Sequence, residues 1–196
     1  MIKLSEQQIK KILLSENYVS EENVKKAEAA AKAGRQSIVE YLLAEQLLTK
    51  DLLGQAVADF YKVSYSDLKS IRPAAEQILK LPEETAKKFR AVLFKEDERS
   101  ATITTDNPGQ KELPAELENI FKNKEIKITY SLPEDIDDIF IQYRKPLETR
   151  FAKIIKEQKR VAPEIIEEIL KDADVFRASD IHFEPQENKL RIRFRI

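Results

Sequence analysis

Arg191, Arg193 and Arg195 occupy every second position near the end of the 196-residue chain, with Leu190, Ile192, Phe194 and Ile196 between and after them. A β-strand turns alternate side chains to opposite faces, so this spacing sets a row of guanidiniums on one face and apolar groups on the other. Such a row suits phosphate oxygens, because each guanidinium offers paired donors in a planar fork. The same residues also make a solvated face paired to carboxylates such as Glu184 and Glu187, and in the chain as it stands that is the expected state. His182 is the only histidine. One histidine cannot build a metal site, and general-base work needs a second group and a pocket. Asp180 and His182 are therefore expected to serve as structural hydrogen-bonding groups, with no catalytic residue and no metal site in this chain.

Glycine makes the sharpest exclusion. Only Gly34, Gly54 and Gly109 occur. A phosphate-binding P-loop needs two glycines five apart followed by Lys and Ser or Thr, and a dinucleotide fold needs three close glycines, so neither can be assembled. There is no cysteine, hence no disulfide or thiolate site. Lys+Arg is 34 and Asp+Glu 35, a formal net charge of -1, which argues against a chain that coats nucleic acid or an anionic membrane. With 42% hydrophobic residues the chain can bury a core. No apolar run approaches the roughly 18 residues of a membrane span and no signal-peptide core is present, so a cytoplasmic location without membrane insertion is expected.

The elements that must position these residues read as follows. Ser5 and Gln8 make a capping-box start to a helix carrying Ile9, Ile12 and Leu13, and Ser20 opens a second helix with Val24, Ala27 and Ala30 or Ala31. A shift of 29 residues returns the pattern: Ile9 maps to Ile38, Leu13 to Leu42, Leu14 to Leu43, Val19 to Leu48, Ser20 to Thr49, Val24 to Leu53 and Ala27 to Ala56. Two tandem helix–turn–helix units are the economical reading, since one alone buries too little surface. Residues 61 to 72 read as a connector. Strands are expected over 91–94, 101–105 and 126–130, with helices over 83–88, from Pro114 and from Pro133. Arg144, Lys145, Arg150, Lys153, Lys156, Lys159 and Arg160 mark a basic linker helix, followed by a helix over 164–172 that is acidic on one face. Glu134, Asp135, Asp137 and Asp138 form an acidic patch of the opposite sign to the linker. An interdomain or intersubunit contact between the two and a pair of solvated faces both fit, the second being the ordinary case. The expected fold class is α+β: a helical tandem-repeat subdomain over 1–65, a small α/β layer subdomain over 66–143, and over 144–196 linker helices with the first strands of a mixed α/β domain that is cut in mid-strand.

The run Ala178-Ser179-Asp180-Ile181-His182-Phe183-Glu184-Pro185, continued by Leu190 to Ile196, resembles the signature opening the ATPase module of type II secretion and type IV pilus assembly ATPases. The resemblance implies a parent protein that works as a homo-hexamer and binds ATP and Mg through a P-loop module downstream, with Arg193 and Arg195 approaching the ATP phosphates and no cofactor held by this chain itself. It implies a non-catalytic docking and regulatory region, cytoplasmic and peripheral at the inner membrane, whose partner is an inner-membrane platform or a cytosolic anchoring protein. The chain alone is expected to be a monomer or weak dimer. Nucleic-acid binding through the basic linker lacks interleaved aromatics and is not expected.

The tandem helices resemble the MshEN-type module that binds cyclic-di-GMP in some of these ATPases. Its hydrophobic positions are matched and its ligand positions are not. Gln8 and Ser37 stand for the expected Arg, Lys10 and Val39 for the first glycine, Asn17 and Gln46 for the second, and Ala31 and Phe60 for Gln. A cyclic dinucleotide needs cationic donors and glycines that admit close backbone N–H groups. A scaffold that has lost its ligand site is the expectation, with cyclic-di-GMP binding as the alternative.

Overall fold

The computed structural model describes residues 4–34, 36–143, 150–151, 161–187 and 189–196, with only the backbone of 161 and 162. The fold is α+β and divides into two compact units, residues 1–142 and 143–196.

The first unit begins with two helical hairpins, α1 (Glu6–Ser15) with α2 (Glu21–Lys32), and α3 (Ile38–Ala44) with α4 (Lys50–Tyr61). Helix starts are set by side chains that satisfy orphan N–H groups. Ser5 and Gln8 close a capping box on α1, Ser37 and Glu40 close one on α3, and the hydroxyls of Ser20 and Thr49 cap α2 and α4. The 29-residue repeat is repeated in the backbone. Asn17 donates to Leu14 O, and Tyr18 and Val19 donate to Leu13 O; Gln46 donates to Leu43 O, and Leu47 and Leu48 donate to Leu42 O. Asn17 (φ 55°) and Gln46 (φ 56°) both hold left-handed backbone, so each first helix ends in the same Schellman turn. Leu13, Leu42, Ala27 and Ala56 are fully buried at matching positions of one core.

That core extends beyond the helices to Tyr130 and Leu132 of the following layer. The connector beyond α4 is more ordered than an irregular link. Tyr65 forms a parallel bridge with Tyr130, with Tyr130 N–H donating to Ser64 O (3.0 Å) and Ser66 N–H donating to Tyr130 O (2.8 Å). Gly54 of α4 lets this happen, because a Cβ there would overlap the Tyr65 ring carbons. A short helix α5 (Ala75–Ile78), absent from the sequence expectation, precedes α6 (Glu83–Phe89). Its Gln77 side-chain amide donates to Leu93 O (3.1 Å) and Phe94 O (2.6 Å), which accommodates a bulge at Phe94.

The sheet has order β1-β2-β3, with β1 (Ala91–Glu96) antiparallel to β2 (Ser100–Thr105) and β2 parallel to β3 (Glu125–Tyr130), the crossover being α7 (Leu113–Ile120). The tight β1–β2 turn is held by Asp97, whose Oδ1 accepts from Arg99 N and Ser100 N at 2.7 Å each. After β3, α8 (Pro133–Phe140) leads into a 3₁₀ turn over Ile141–Tyr143.

The second unit contains α9 (Val161–Val175) and an antiparallel hairpin of β4 (Asp180–Gln186) and β5 (Lys189–Arg195). Phe176 meets Phe194 with ring centroids 5.6 Å apart, and Ser179 N–H donates to Arg195 O at 2.8 Å. Arg150 donates to Glu168 (2.5 Å) and to the buried Asp172, so the acidic face of α9 meets a cation from the expected basic linker. The remainder of that linker lies outside the described residues.

Candidate functional site

Arg90 ends α6 in left-handed conformation (φ 47°), which throws its side chain across the end of the sheet. It ion-pairs with Asp106, donates to Asp137 Oδ1 at 2.7 Å and to Pro133 O at 3.1 Å, and lies over the Phe140 ring at 5.8 Å. Beside it is a cleft of about 260 Å³ whose floor is Leu4, Ile9, Leu53, Val57, Tyr130 and Leu132, with Arg90, Asp106, Asn107 and Glu134 at the rim. Nothing but residue 90's basic type, just ahead of a strand, marks this site in the sequence.

The cleft combines an apolar floor with charged rim groups that already have partners. Burial pushes the Tyr130 and Tyr61 phenols up, so both stay neutral. Their rings stack at 6.3 Å between centroids, with Tyr130 lining the cleft. Arg90 is consumed by Asp106 and Asp137, and Glu134 by Lys50 at 3.0 Å. Burial, then the charge of Glu134, pushes Asp135 up. The acidic patch on α8 is therefore answered at two of its members by cations from within residues 1–142.

The positions where a cyclic-dinucleotide motif would place its ligand groups hold other work. Gln8 and Ser37 are capping residues, and Lys10 pairs with Glu28, which it holds below the usual carboxylate range. Asn17 and Gln46 adopt the left-handed backbone that glycine would take freely, so the turn survives where the glycine does not. Ala31 is partly buried against the helical core, and Phe60 is exposed.

In the hairpin, Arg195 faces Asp180, Arg193 faces His182 and Arg191 faces Glu184 across the two strands. Arg193 pairs with Glu184 at 2.5 Å and Arg195 with Asp180 at 3.6 Å, both arginines being mostly exposed. Among the described residues no cluster of His, Cys, Asp and Glu could hold a metal ion.

Residues 61–150 match the family model described as the MshEN domain. That stretch is similar to an MshEN domain. Similar solved structures include "Structure of MshE with cdg", at 20% identity over 69% of this chain and 98% of that one with a TM-score of 0.46. A second is "Structure of the N-terminal domain of XpsE", at 15% identity over 72% and 98% with a TM-score of 0.41. No curated protein matches the chain. The MshEN match begins at Tyr61, the last residue of α4, and so runs over the sheet layer, whereas the resemblance of motif positions lies on the helical repeat. In the helical pair, the positions where the resembled pattern has Arg and Gly hold capping residues, an ion pair and left-handed Asn and Gln. No helix among the described residues is long and apolar enough to cross a membrane.

Proposed function

We propose that this chain is the non-catalytic N-terminal docking and regulatory region of a secretion or type IV pilus assembly ATPase, coupling a hexameric motor to an inner-membrane platform. The observation that carries this reading is the MshEN match over 61–150. The signature-like hairpin after α9 supports it, since Arg193 and Arg195 lie on one exposed strand face where phosphate oxygens could replace Glu184 and Asp180 as partners. The partner in this reading is a cytosolic segment of the platform or of its anchoring protein. The arrangement works by rigid presentation: the helical pair and sheet share one core, so a partner gripping either element holds the whole of residues 1–142.

The test is co-purification and calorimetric titration of the full chain with the cytosolic domain of an inner-membrane platform protein from the same organism's secretion or pilus system. Binding tighter than about 10 μM, near 7 kcal/mol, is the expected result; none at 100 μM sinks the docking role. Cyclic-di-GMP titrated against the same chain is expected to give no binding at micromolar concentration, because the cationic and glycine positions are otherwise occupied. Saturable micromolar binding would instead favour the cyclic-dinucleotide reading.

A further inference from the structure

A groove of about 640 Å³ opens on the face of the sheet away from the Arg90 cleft's apolar floor, between α4's end and the middle of β1, β2 and β3. Its cations come from three separate elements. Lys95 of β1 faces Thr102 of β2, and Thr102 faces Lys127 of β3, so one threonine separates two lysines in a single cross-strand row. With strands about 4.8 Å apart, the two stems stand roughly 10 Å apart and their flexible heads can meet over the threonine. Lys62 enters from the other side. It is held at the rim by left-handed backbone (φ 58°) in the turn that ends α4, where Lys62 N–H donates to Asp59 O and Val63 N–H to Ala58 O.

Three like charges in one concavity repel one another unless something anionic lies among them. Among the described residues no carboxylate ion-pairs with Lys62 or Lys95; Lys127 has only the exposed Glu125 at 3.7 Å, and Lys95 rests over the Phe94 ring at 5.4 Å. The lining includes one carboxylate, Asp59, whose Oδ2 already accepts from Tyr18 at 2.7 Å. The remaining polar side chains of the lining are hydroxyls, Thr102, Ser64, Ser66 and Thr129, of which Ser66 donates to Thr129 at 2.8 Å. The Tyr130 N–H and C=O are spent on Ser64 and Ser66, and the pleat turns the Ile128 N–H to the same side, beyond the end of that bridged segment.

We propose that this groove binds a soluble ligand bearing two or more linked phosphates, with Lys62, Lys95 and Lys127 neutralising the charge and Thr102 and Ser64 donating to phosphate oxygens. Lysine is a phosphate binder as a point charge on a mobile stem, and three stems converging from three elements suit a linked anion better than a single one. The concave, hydroxyl-edged shape favours a small free ligand over a flat membrane surface.

The test is calorimetric titration of the full chain with inorganic triphosphate at low salt, beside vesicles containing 30% anionic phospholipid and a polyglutamate peptide. Triphosphate binding in the micromolar range that weakens at least tenfold between about 50 and 200 mM salt is expected. Lys95→Gln with Lys127→Gln should weaken it more than tenfold, and so should Lys62→Gly, which keeps the left-handed turn. Lys25→Gln with Lys26→Gln, on the exposed face of α2, should leave it within twofold. The proposal is overturned by no triphosphate binding at millimolar concentration, by equal weakening from the α2 pair, by vesicle binding without triphosphate binding, or by polyglutamate binding as tightly as triphosphate.

Discussion

Gly54 and Tyr65 show how one missing methyl joins two layers. The ring of Tyr65 lies where a Cβ of residue 54 would be, so Gly54→Ala must push the connector off α4. Overpacking of this kind costs about 1–3 kcal/mol, and urea unfolding should show it, while Gly109→Ala, whose Cβ meets only ordinary contacts, stays within about 0.5 kcal/mol. Asp135 gives a pH test. Its folded carboxyl is pushed above the ordinary value, by burial first, so between the unfolded and folded values the unfolded chain binds fewer protons. Stability contributed at this site is thus present below the unfolded pKa and lost as pH rises through the raised folded one. Asp135→Asn should stabilise the chain at pH 7 and change little below pH 4, read from unfolding midpoints across that range. Arg90 and Gly54 were invisible in the sequence as positions of interest, because their importance arises from partners 16 to 47 residues away or from a ring eleven residues on.

At the scale of elements, the turns after α1 and α3 make the clearest prediction. Both put a non-glycine residue at φ near 55°, a conformation that costs roughly 1 kcal/mol for an L-residue and less for Asn. Gln46→Gly is therefore expected to raise stability by about 0.5–1 kcal/mol and Asn17→Gly by less, measured by thermal unfolding. This is also where sequence reading succeeded. The caps Ser5, Ser20 and Thr49 and the apolar positions Leu13, Leu42, Ala27 and Ala56 are local signals, repeated at 29 residues, and the backbone repeats with them. The three strands were equally legible from β-branched alternation, within one or two residues at their ends. Helix α5, four residues long, has no period to read. The bridge between Tyr65 and Tyr130 is a pairing 65 residues apart that no local pattern encodes. The candidate site was less legible than the fold for the same reason. The arginine row shows as a period of two, whereas a groove made by Lys62, Lys95 and Lys127 exists only once three strands and a helix end are brought together.

Across the whole molecule, the buried hydroxyls decide how residues 1–142 behave. Ser66 bonds Thr129 (2.8 Å), Thr104 bonds Ser131 (2.7 Å), and Ser131 donates to Ser66 O, so connector, β2 and the end of β3 share one polar seam inside the core. Groups so buried must stay paired, and stranding one costs about 1–3 kcal/mol. Residues 1–142 expressed alone should therefore fold and unfold in one cooperative transition, with far-ultraviolet and tyrosine signals coincident; Ser131→Ala should lower the midpoint of both signals together. The Gln77 amide has a consequence of another kind. A sheet of three strands offers two rows of unsatisfied backbone to any passing chain, and a row of that sort is where fibrils begin. Here Gln77 stoppers the bulged stretch of β1, Ser64 and Ser66 occupy the last pair of β3, and charged Glu125 and Lys127 punctuate what remains. A single side-chain amide thus guards the molecule's shelf life as well as its shape: at equal folded stability, Gln77→Ala should shorten the lag before it forms thioflavin-positive aggregates.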